Sequence, residues 1–538
     1  MKLVTVSQMQ AIEKEADAGG LTYDQMMENA GQGLADVLFD LFEDDVETEI
    51  VGLVGPGNNG GDTLIALTEL VQEGWKASAF LVKRKKDDLV RRFAEAGGVV
   101  ISGEDAFEKL AGSIETADVL LDGILGTGTQ LPLKKDVAEL LSEVNNILDG
   151  LVESPLVVAV DCPSGVDCDS GQVADETLAA DMTVTMAAVK RGLLKLPAFE
   201  YVGDLEVVDI GLPEGLASFN NLKMEVADED SIAAMLPERR LDAHKGTFGT
   251  ALIAAGSVNY TGAAVLAGEA AYRSGVGLVT MAVPGPVHVA LAGRFPEATW
   301  VLLPHEMGVI AAGGAEVLAK NFERASALLI GPGFGMENTT KEFIENVLEG
   351  KYSAKKNTQR IGFVHQETEK EDQVNSKLPP LVVDADGLKL LGQMKDWYTR
   401  IPAPAILTPH PGEMALLTDL SKELIAEKRE EIAAQYAKMW GHVVVLKGAF
   451  TAVAAPDGRV TVIPVATPAL ARAGTGDVLA GLIVGLRAQG LEAYEAAVAG
   501  AWIHGRAGLY AADDLGTTTS VLAGDVLDSI SDVISDLN

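Results

Sequence analysis

Two glycine-rich runs of unlike design each close on an aspartate: Gly55-Pro56-Gly57-Asn58-Asn59-Gly60-Gly61-Asp62 and Gly474-Thr475-Gly476-Asp477. Neither carries the lysine of a Walker loop, and each stands where a helix is expected to begin. Backbone N–H groups at a helix N-terminus attract phosphate, and glycine lets the chain approach it closely. A carboxylate beside such an anion site repels phosphate, so its use lies elsewhere, in proton transfer, a sugar hydroxyl or a cation. The chain reads as holding two nucleotide-handling sites.

Further residues gather around each run. Asn59, Asp122 and Ser164 offer hard oxygens that suit a monovalent or divalent cation, which would offset the field of a diphosphate. Asp161 follows an apolar run and precedes Cys162-Pro163-Ser164-Gly165, where it either exchanges a proton with a ligand or caps a helix. The first run is not the dinucleotide signature GxGxxG, so spacing alone gives a generic phosphate loop or a plain structural turn. In the second region, Lys447-Gly448-Ala449-Phe450-Thr451 supplies a cation, a glycine and a hydroxyl for nucleotide phosphates. Thr408-Pro409-His410-Pro411-Gly412-Glu413 is expected to touch substrate through His410, although a structural histidine is the plainer alternative. Gly331-Pro332-Gly333-Phe334-Gly335 reads as a loop over ligand, and either Asp384 or Asp386 could sit near magnesium or a ribose hydroxyl. The N–H groups of the Gly474-Thr475-Gly476 turn would surround a developing negative charge, with Asp477 placed to deprotonate a hydroxyl that attacks phosphorus. A glycine-rich cap of a buried helix is the alternative there.

These residues need elements to hold them. Apolar runs at 49–54, 77–82, 119–121, 156–160 and 182–187 alternate with helical stretches, the pattern of an open, mostly parallel sheet with helices on both faces. Ligands bind beyond the carboxyl ends of such strands, which are the loops at 55–62, 122–129 and 161–167. Before them, residues 8–42 read as two helices, the second with apolar side chains at helical spacing. The pattern closes near residue 210, and the stretch 213–230 lacks β alternation and is expected to hold a domain boundary. A second α/β series follows through 249–255, 276–283, 327–330, 381–384, 405–407 and 443–446, with helices at 261–274 and 473–489. Residues 351–379 are polar and read as a surface insertion without chemistry.

At 538 residues the chain is expected to hold two or three domains. Hydrophobic residues make up 48% and charged residues 22%, as in an ordinary globular protein. The net charge of −36 argues against nonspecific nucleic-acid binding, which needs a basic footprint. No long apolar run suggests a membrane span, and the start lacks a signal peptide's apolar core, so cytoplasm is the expected location. Only Cys162 and Cys168 are present, with no histidine near them, and both read as small buried residues.

Met27-Glu28-Asn29-Ala30-Gly31, residues 57–62, 122–128 and 158–167 together resemble the NAD(P)H-hydrate epimerase domain over residues 1–213. The resemblance implies a Rossmann-like fold that interconverts the R and S epimers at C6 of hydrated NADH or NADPH. It further implies that Asn58, Asn59, Gly60, Gly61, Asp62, Gly126, Thr127, Gly128, Thr129, Gln130, Leu131 and Pro132 contact the hydrated cofactor, with Asp161 as the substrate-binding acid/base. Asn59, Asp122 and Ser164 would hold potassium. Thr63 departs from the family, which often has glycine there.

His244-Lys245-Gly246, Gly256-Ser257 and the segments at 331–335, 384–387, 408–413, 447–451 and 474–481 are similar to the ADP-dependent NAD(P)H-hydrate dehydratase domain over 225–538. The fold implied is ribokinase-like. Carried over, Gly333, His410, Pro411, Gly412, Glu413, Met414, Ala415, Leu416 and Asp477 bind the hydrated cofactor. Lys447, Gly448, Ala449, Phe450, Thr451, Thr467, Pro468, Ala469, Leu470, Ala471, Arg472, Ala473, Gly474, Thr475 and Gly476 bind ADP, with Mg²⁺ as cofactor. Arg472 stands where small or polar residues are commoner. The implied whole is a bifunctional repair enzyme, expected as a homo-oligomer with small-molecule partners only. Two rivals are a hydroxymethylpyrimidine-type or sugar kinase, and an N-terminal domain that is a non-catalytic scaffold.

Overall fold

The computed structural model describes residues 1–42, 48–350 and 377–537. They divide into two compact units, Met1–Val226 and Ala227–Asn538. Most of the polar stretch expected as an insertion, residues 351–376, lies outside the described residues.

In the first unit, strands β1 (Glu49–Val54), β2 (Lys76–Leu81), β3 (Val99–Ile101), β4 (Val119–Gly123), β5 (Leu156–Val160), β6 (Met182–Met186) and β7 (Asp204–Val208) form one sheet. Their order is β3-β2-β1-β4-β5-β6-β7, and every neighbouring pair is parallel. Near-continuous apolar strands such as Leu156-Val157-Val158-Ala159-Val160 need cover on both faces, which crossover helices provide. The order reverses between β1 and β4, so the loops beyond their carboxyl ends part and leave a crevice.

Helices α1 (Val6–Ala18), α2 (Tyr23–Phe42) and α3 (Asn58–Gln72) border that crevice. Thr5 opens α1 with a capping box completed by Gln8. α2 buries Met26, Ala30, Leu34 and Leu38 on one face. Each such leucine is worth roughly 1.5–3 kcal/mol of burial. It crosses α3 at Gly31, where a Cβ would come within 2.5 Å of the Ile65 side chain.

α3 departs from expectation, because it starts at Asn58 rather than at Asp62. The loop proper is only Gly55-Pro56-Gly57, and Gly60 and Gly61 are helical. Their small size serves packing. A Cβ on Gly60 would fall 2.1 Å from the Gly55 carbonyl oxygen, and one on Gly61 2.5 Å from Met27 Sδ.

In the second unit, strands β8 (Thr250–Ala254), β9 (Leu278–Pro284), β10 (Thr299–Leu303), β11 (Ala327–Ile330), β12 (Leu381–Val383), β13 (Ile406–Leu407), β14 (Val443–Leu446), β15 (Ala452–Ala454) and β16 (Val460–Val462) run in the order β16-β15-β14-β13-β12-β11-β8-β9-β10. The pairings on either side of β15 are antiparallel and the others parallel. β3, β10, β15 and β16 were not expected from sequence. Helices α4 (Thr261–Arg273) and α5 (Thr475–Ala488) pack face to face. Gly481 and Gly485 permit it: a Cβ on the first would lie 2.2 Å from the Ala267 carbonyl oxygen, and on the second 2.1 Å from Ser274 Oγ. That close crossing fixes the N-terminus of α5, where Asp477 sits. Among the described residues no helix is long and apolar enough to cross a membrane.

Candidate active sites

The crevice of the first unit is a cavity of about 410 Å³. Gly57, Asn58, Asn59 and Asp62 reach it from α3 and its loop, Gly126, Thr127 and Gly128 from the loop after β4, and Asp161 from the end of β5. The remaining predicted contacts, Gly60, Gly61, Thr129, Gln130, Leu131 and Pro132, are not among its lining residues. Thr129 turns its hydroxyl to the Gly126 carbonyl at 2.9 Å and so shapes the loop.

Asp161 has a backbone φ of +65°, a region that non-glycine residues seldom occupy and that costs on the order of 1–3 kcal/mol where it is strained. Its Oδ1 accepts from the Lys190 ammonium, from the Met186 N–H at 3.2 Å and from the Thr185 hydroxyl at 3.3 Å. Lys190 is 1% exposed, and its Nζ also donates to Thr185 Oγ1 and to the Met186 carbonyl, both at 2.9 Å. A buried lysine with three oxygen partners pins the aspartate and supplies its counter-charge. Asp161 is therefore no helix cap. Sequence reasoning missed Lys190, together with Glu13 of α1, which also lines the cavity. A lysine closing the apolar run 182–189 was the available signal for the first, and nothing local marked the second.

Burial, reinforced by the charge of Asp161, pushes the Asp62 carboxyl well above its usual range. Burial also raises Asp122, against the hydrogen bonds from Ser164. Asp122 accepts the Ser164 N–H at 2.7 Å and its hydroxyl at 2.6 Å. The Leu125 backbone joins this pair to Asn59, donating its N–H to Ser164 Oγ and accepting from Asn59 Nδ2, each at 2.9 Å. Asn59 Oδ1 is buried with no hydrogen-bond partner. An orphaned amide oxygen tied to a hydroxyl and a buried carboxylate fits a hard cation. Among the described residues no three His, Cys, Asp or Glu side chains form a metal cluster. Cys162 and Cys168 are buried free thiols.

In the second unit the predicted residues converge from four strand ends and one helix. Lys447, beyond β14, places Nζ 2.7 Å from Asp384 Oδ1, beyond β12, and 4.0 Å from Glu413 Oε2. Thr408, beyond β13, donates to Asp384 Oδ1 at 2.6 Å. Asp386 accepts the Gly335 N–H at 2.9 Å, which draws in the loop after β11, and Lys389 Nζ at 2.9 Å. Ala385 between the two aspartates has φ +51° and ψ −124°, and Phe450 has φ +56°, so both loops hold strained backbone. Asp477 lies in the first turn of α5, entered through Gly474 at φ +97°. The first N–H groups of a helix have no partner within it. Burial, then the neighbouring charge of Asp384, lifts the Asp477 carboxyl to about 7.

His410 caps the helix Pro411–Thr418: its Nδ1 accepts from the Gly412 N–H at 2.9 Å and the Glu413 N–H at 3.2 Å. Burial, then the Lys447 charge, lowers its pKa, so the ring is neutral at pH 7. Burial raises Glu413. Not every predicted contact faces this cluster. Met414 is fully buried, Leu416 packs toward Gly392, and Arg472 turns its guanidinium to the Thr519 carbonyl. Thr467 caps the short 3₁₀ turn Pro468–Leu470.

Residues 23–192 match the family model of the YjeF-related protein N-terminus, and residues 251–354 and 362–531 match that of NAD(P)H-hydrate dehydratase. The chain is 34% identical to the bifunctional NAD(P)H-hydrate repair enzyme Nnr of Moorella thermoacetica, over 100% of this chain and 97% of the relative. It is 34% identical to the Nnr enzyme of Thermofilum pendens, over 96% of this chain and 93% of the relative. A crystal structure of the Bacillus subtilis ADP/ATP-dependent NAD(P)H-hydrate dehydratase, co-crystallised with ATP/Mg²⁺, matches with a TM-score of 0.47 at 30% identity. It covers 58% of this chain and 99% of that one.

Proposed function

The chain belongs to the family of bifunctional NAD(P)H-hydrate repair enzymes, and on that premise we propose which unit and which residues carry each half of the repair. The enzyme epimerises hydrated NAD(P)H and dehydrates it in a nucleotide-dependent reaction. We assign epimerisation to residues 1–213 and dehydration to residues 225–538.

In the first unit Asp161, held by Lys190, exchanges the proton at the C6 hydroxyl inside the cavity. Asn59, Asp122 and Ser164 would hold potassium, whose charge offsets that of the substrate's phosphates. The unpartnered Asn59 Oδ1 supports that ligand set.

In the second unit Asp477 takes the proton of the C6 hydroxyl, whose oxygen attacks the β-phosphorus of ADP and displaces AMP. Phosphate then leaves C6 and a proton leaves the ring, which restores the reduced nicotinamide. Hydroxide leaves poorly and phosphate leaves well, which is the reason for spending a phosphoryl group. The α5 N-terminus and Lys447 face the negative charge that develops on the transferring group. Magnesium would come with the nucleotide, held by its phosphates and by the Asp384 carboxylate. The observation that carries this reading is a base whose proton affinity sits near neutrality, at about 7, at a helix N-terminus beside a partly buried lysine. Hydrated NADH or NADPH incubated with ADP or ATP and followed at the reduced-nicotinamide absorbance tests it. A stable phosphorylated product in place of restored NAD(P)H would overturn it in favour of a kinase.

A further inference from the structure

Inverting C6 poses a problem that one carboxylate does not solve. The hydroxyl at C6 belongs to a hemiaminal, because C6 is bonded to the ring nitrogen. To invert it, the C–O bond breaks with a proton delivered to the departing oxygen, and water then adds to the opposite face while giving up a proton. A donor and an acceptor are both needed. Asp161 suits the acceptor, because Lys190, Thr185 and Met186 all donate to its Oδ1 and hold the carboxylate in place. Its Oδ2 points toward Gly126, where a Cβ would lie 3.5 Å from it.

Glu13 projects from α1 into the same cavity, half-buried, on the wall that Met9 and Gln10 also build. The charged groups that bear on it are Asp161 and Lys190 at the strand ends and Asp62 on α3. We propose that Glu13 is the proton donor of the epimerisation, paired with Asp161 as acceptor across the C6 centre. The inference rests on the reading of Asp161 as a base of this site. Burial, then the negative charge of Asp161, holds the Glu13 carboxyl protonated to higher pH than usual.

The step balances. The Glu13 proton goes to the C6 hydroxyl, which departs as water. The ring-nitrogen electron pair forms the C6=N iminium, and water adds to the other face while its proton passes to Asp161. Glu13 ends as carboxylate and Asp161 as acid, and exchange with solvent water resets them. The reverse epimerisation uses the same path with the roles exchanged.

The test uses the full chain carrying Asp477→Asn, so that only epimerisation is read, with the two epimers separated chromatographically as pH is varied. Glu13→Gln is expected to lower kcat about 100-fold with KM little changed, and to abolish the fall in rate on the alkaline side that marks loss of the donor's proton. Glu13→Asp is expected to recover part of the rate, with that fall restored. Full kcat in Glu13→Gln, or an alkaline fall that survives there but vanishes in Asp62→Asn, would overturn the proposal and leave Asp161 standing. Undiminished epimerisation in Asp161→Asn would instead overturn the reading of the site itself, and this inference with it.

Discussion

Lys447 Nζ stands 2.7 Å from Asp384 Oδ1 and 4.0 Å from Glu413 Oε2, so one partly buried ammonium serves two carboxylates. Asp384 and Glu413 outweigh the burial that would otherwise weaken it, and they raise the lysine's proton affinity. Asp477, near the same cluster, feels more negative than positive neighbours, and it is this carboxyl that is lifted to about 7. The pairing therefore keeps the lysine charged for phosphate and keeps the base near neutrality, two demands met by one cluster.

Because Asp477 works deprotonated, dehydration should rise with pH through about 7 and then level. Asp384→Asn removes a negative neighbour and releases Lys447 to act on Asp477, and both changes lower its proton affinity. The acidic limb of kcat/KM should then move to lower pH, while kcat falls because the lysine loses its anchor. A limb that stays in place or moves upward would break the proposed coupling.

Asp477→Asn should lose dehydration by about two to four orders of magnitude and keep epimerisation. It should also be more stable than the parent above neutrality. The folded carboxyl holds its proton to about 7, whereas the unfolded one releases it near 3.8. Between those values the folded state binds more protons, so native stability falls as pH rises and the full cost is present above about 7. The gain from the asparagine should approach about 4 kcal/mol at alkaline pH, from about three pK units at about 1.4 kcal/mol each, and vanish below the unfolded value. Urea unfolding at both pH extremes reads this directly.

The alternation of strands and helices, the two glycine runs and the carboxylates at strand ends were legible because each is written in contiguous residues: an apolar strand, then the loop that caps it. Lys190 and Glu13 were not, since each reaches the cavity from an element far along the chain from the glycine run, and only packing brings them there. Gly60 and Gly61 were misread as loop residues for a related reason, as their steric partners, Gly55 and Met27, are known only once α2 and the β1 loop lie against α3. The antiparallel pair β15 and β16 escaped because strands of three residues leave no period to see.

Lys190→Met should destabilise the first unit by about 3 kcal/mol, since it leaves the largely buried Asp161 carboxylate without its cation. Adding Asp161→Asn to that variant should recover part of the loss, whereas the two changes would add if the residues did not interact. Chemical unfolding of the four proteins closes the cycle.

Potassium should raise the melting temperature of the parent protein by mass action on the folded state, and the increment should vanish in Asn59→Ala. The orphaned Asn59 Oδ1 is the group removed. An equal shift with sodium, or one that persists in the alanine variant, would place the cation elsewhere.

Two alanine substitutions in the first glycine run separate packing from phosphate contact. Gly57 caps α3 at φ −94°, and a Cβ there would meet nothing within 4 Å, so Gly57→Ala should fold with nearly unchanged stability. Any effect should fall on KM, through the anion that Gly57 lets approach. Gly60 is different, because its Cβ would lie 2.1 Å from the Gly55 carbonyl oxygen, 2.7 Å from the Gly55 nitrogen and 2.8 Å from its carbonyl carbon, all rigid backbone. Gly60→Ala must push α3 off the β1 loop, at a cost of about 1–3 kcal/mol, and carry Asn59 and Asp62 with it. Epimerisation should then collapse while dehydration in the second unit persists. Equal stability of the two variants, measured by thermal unfolding, would refute the packing role assigned to Gly60.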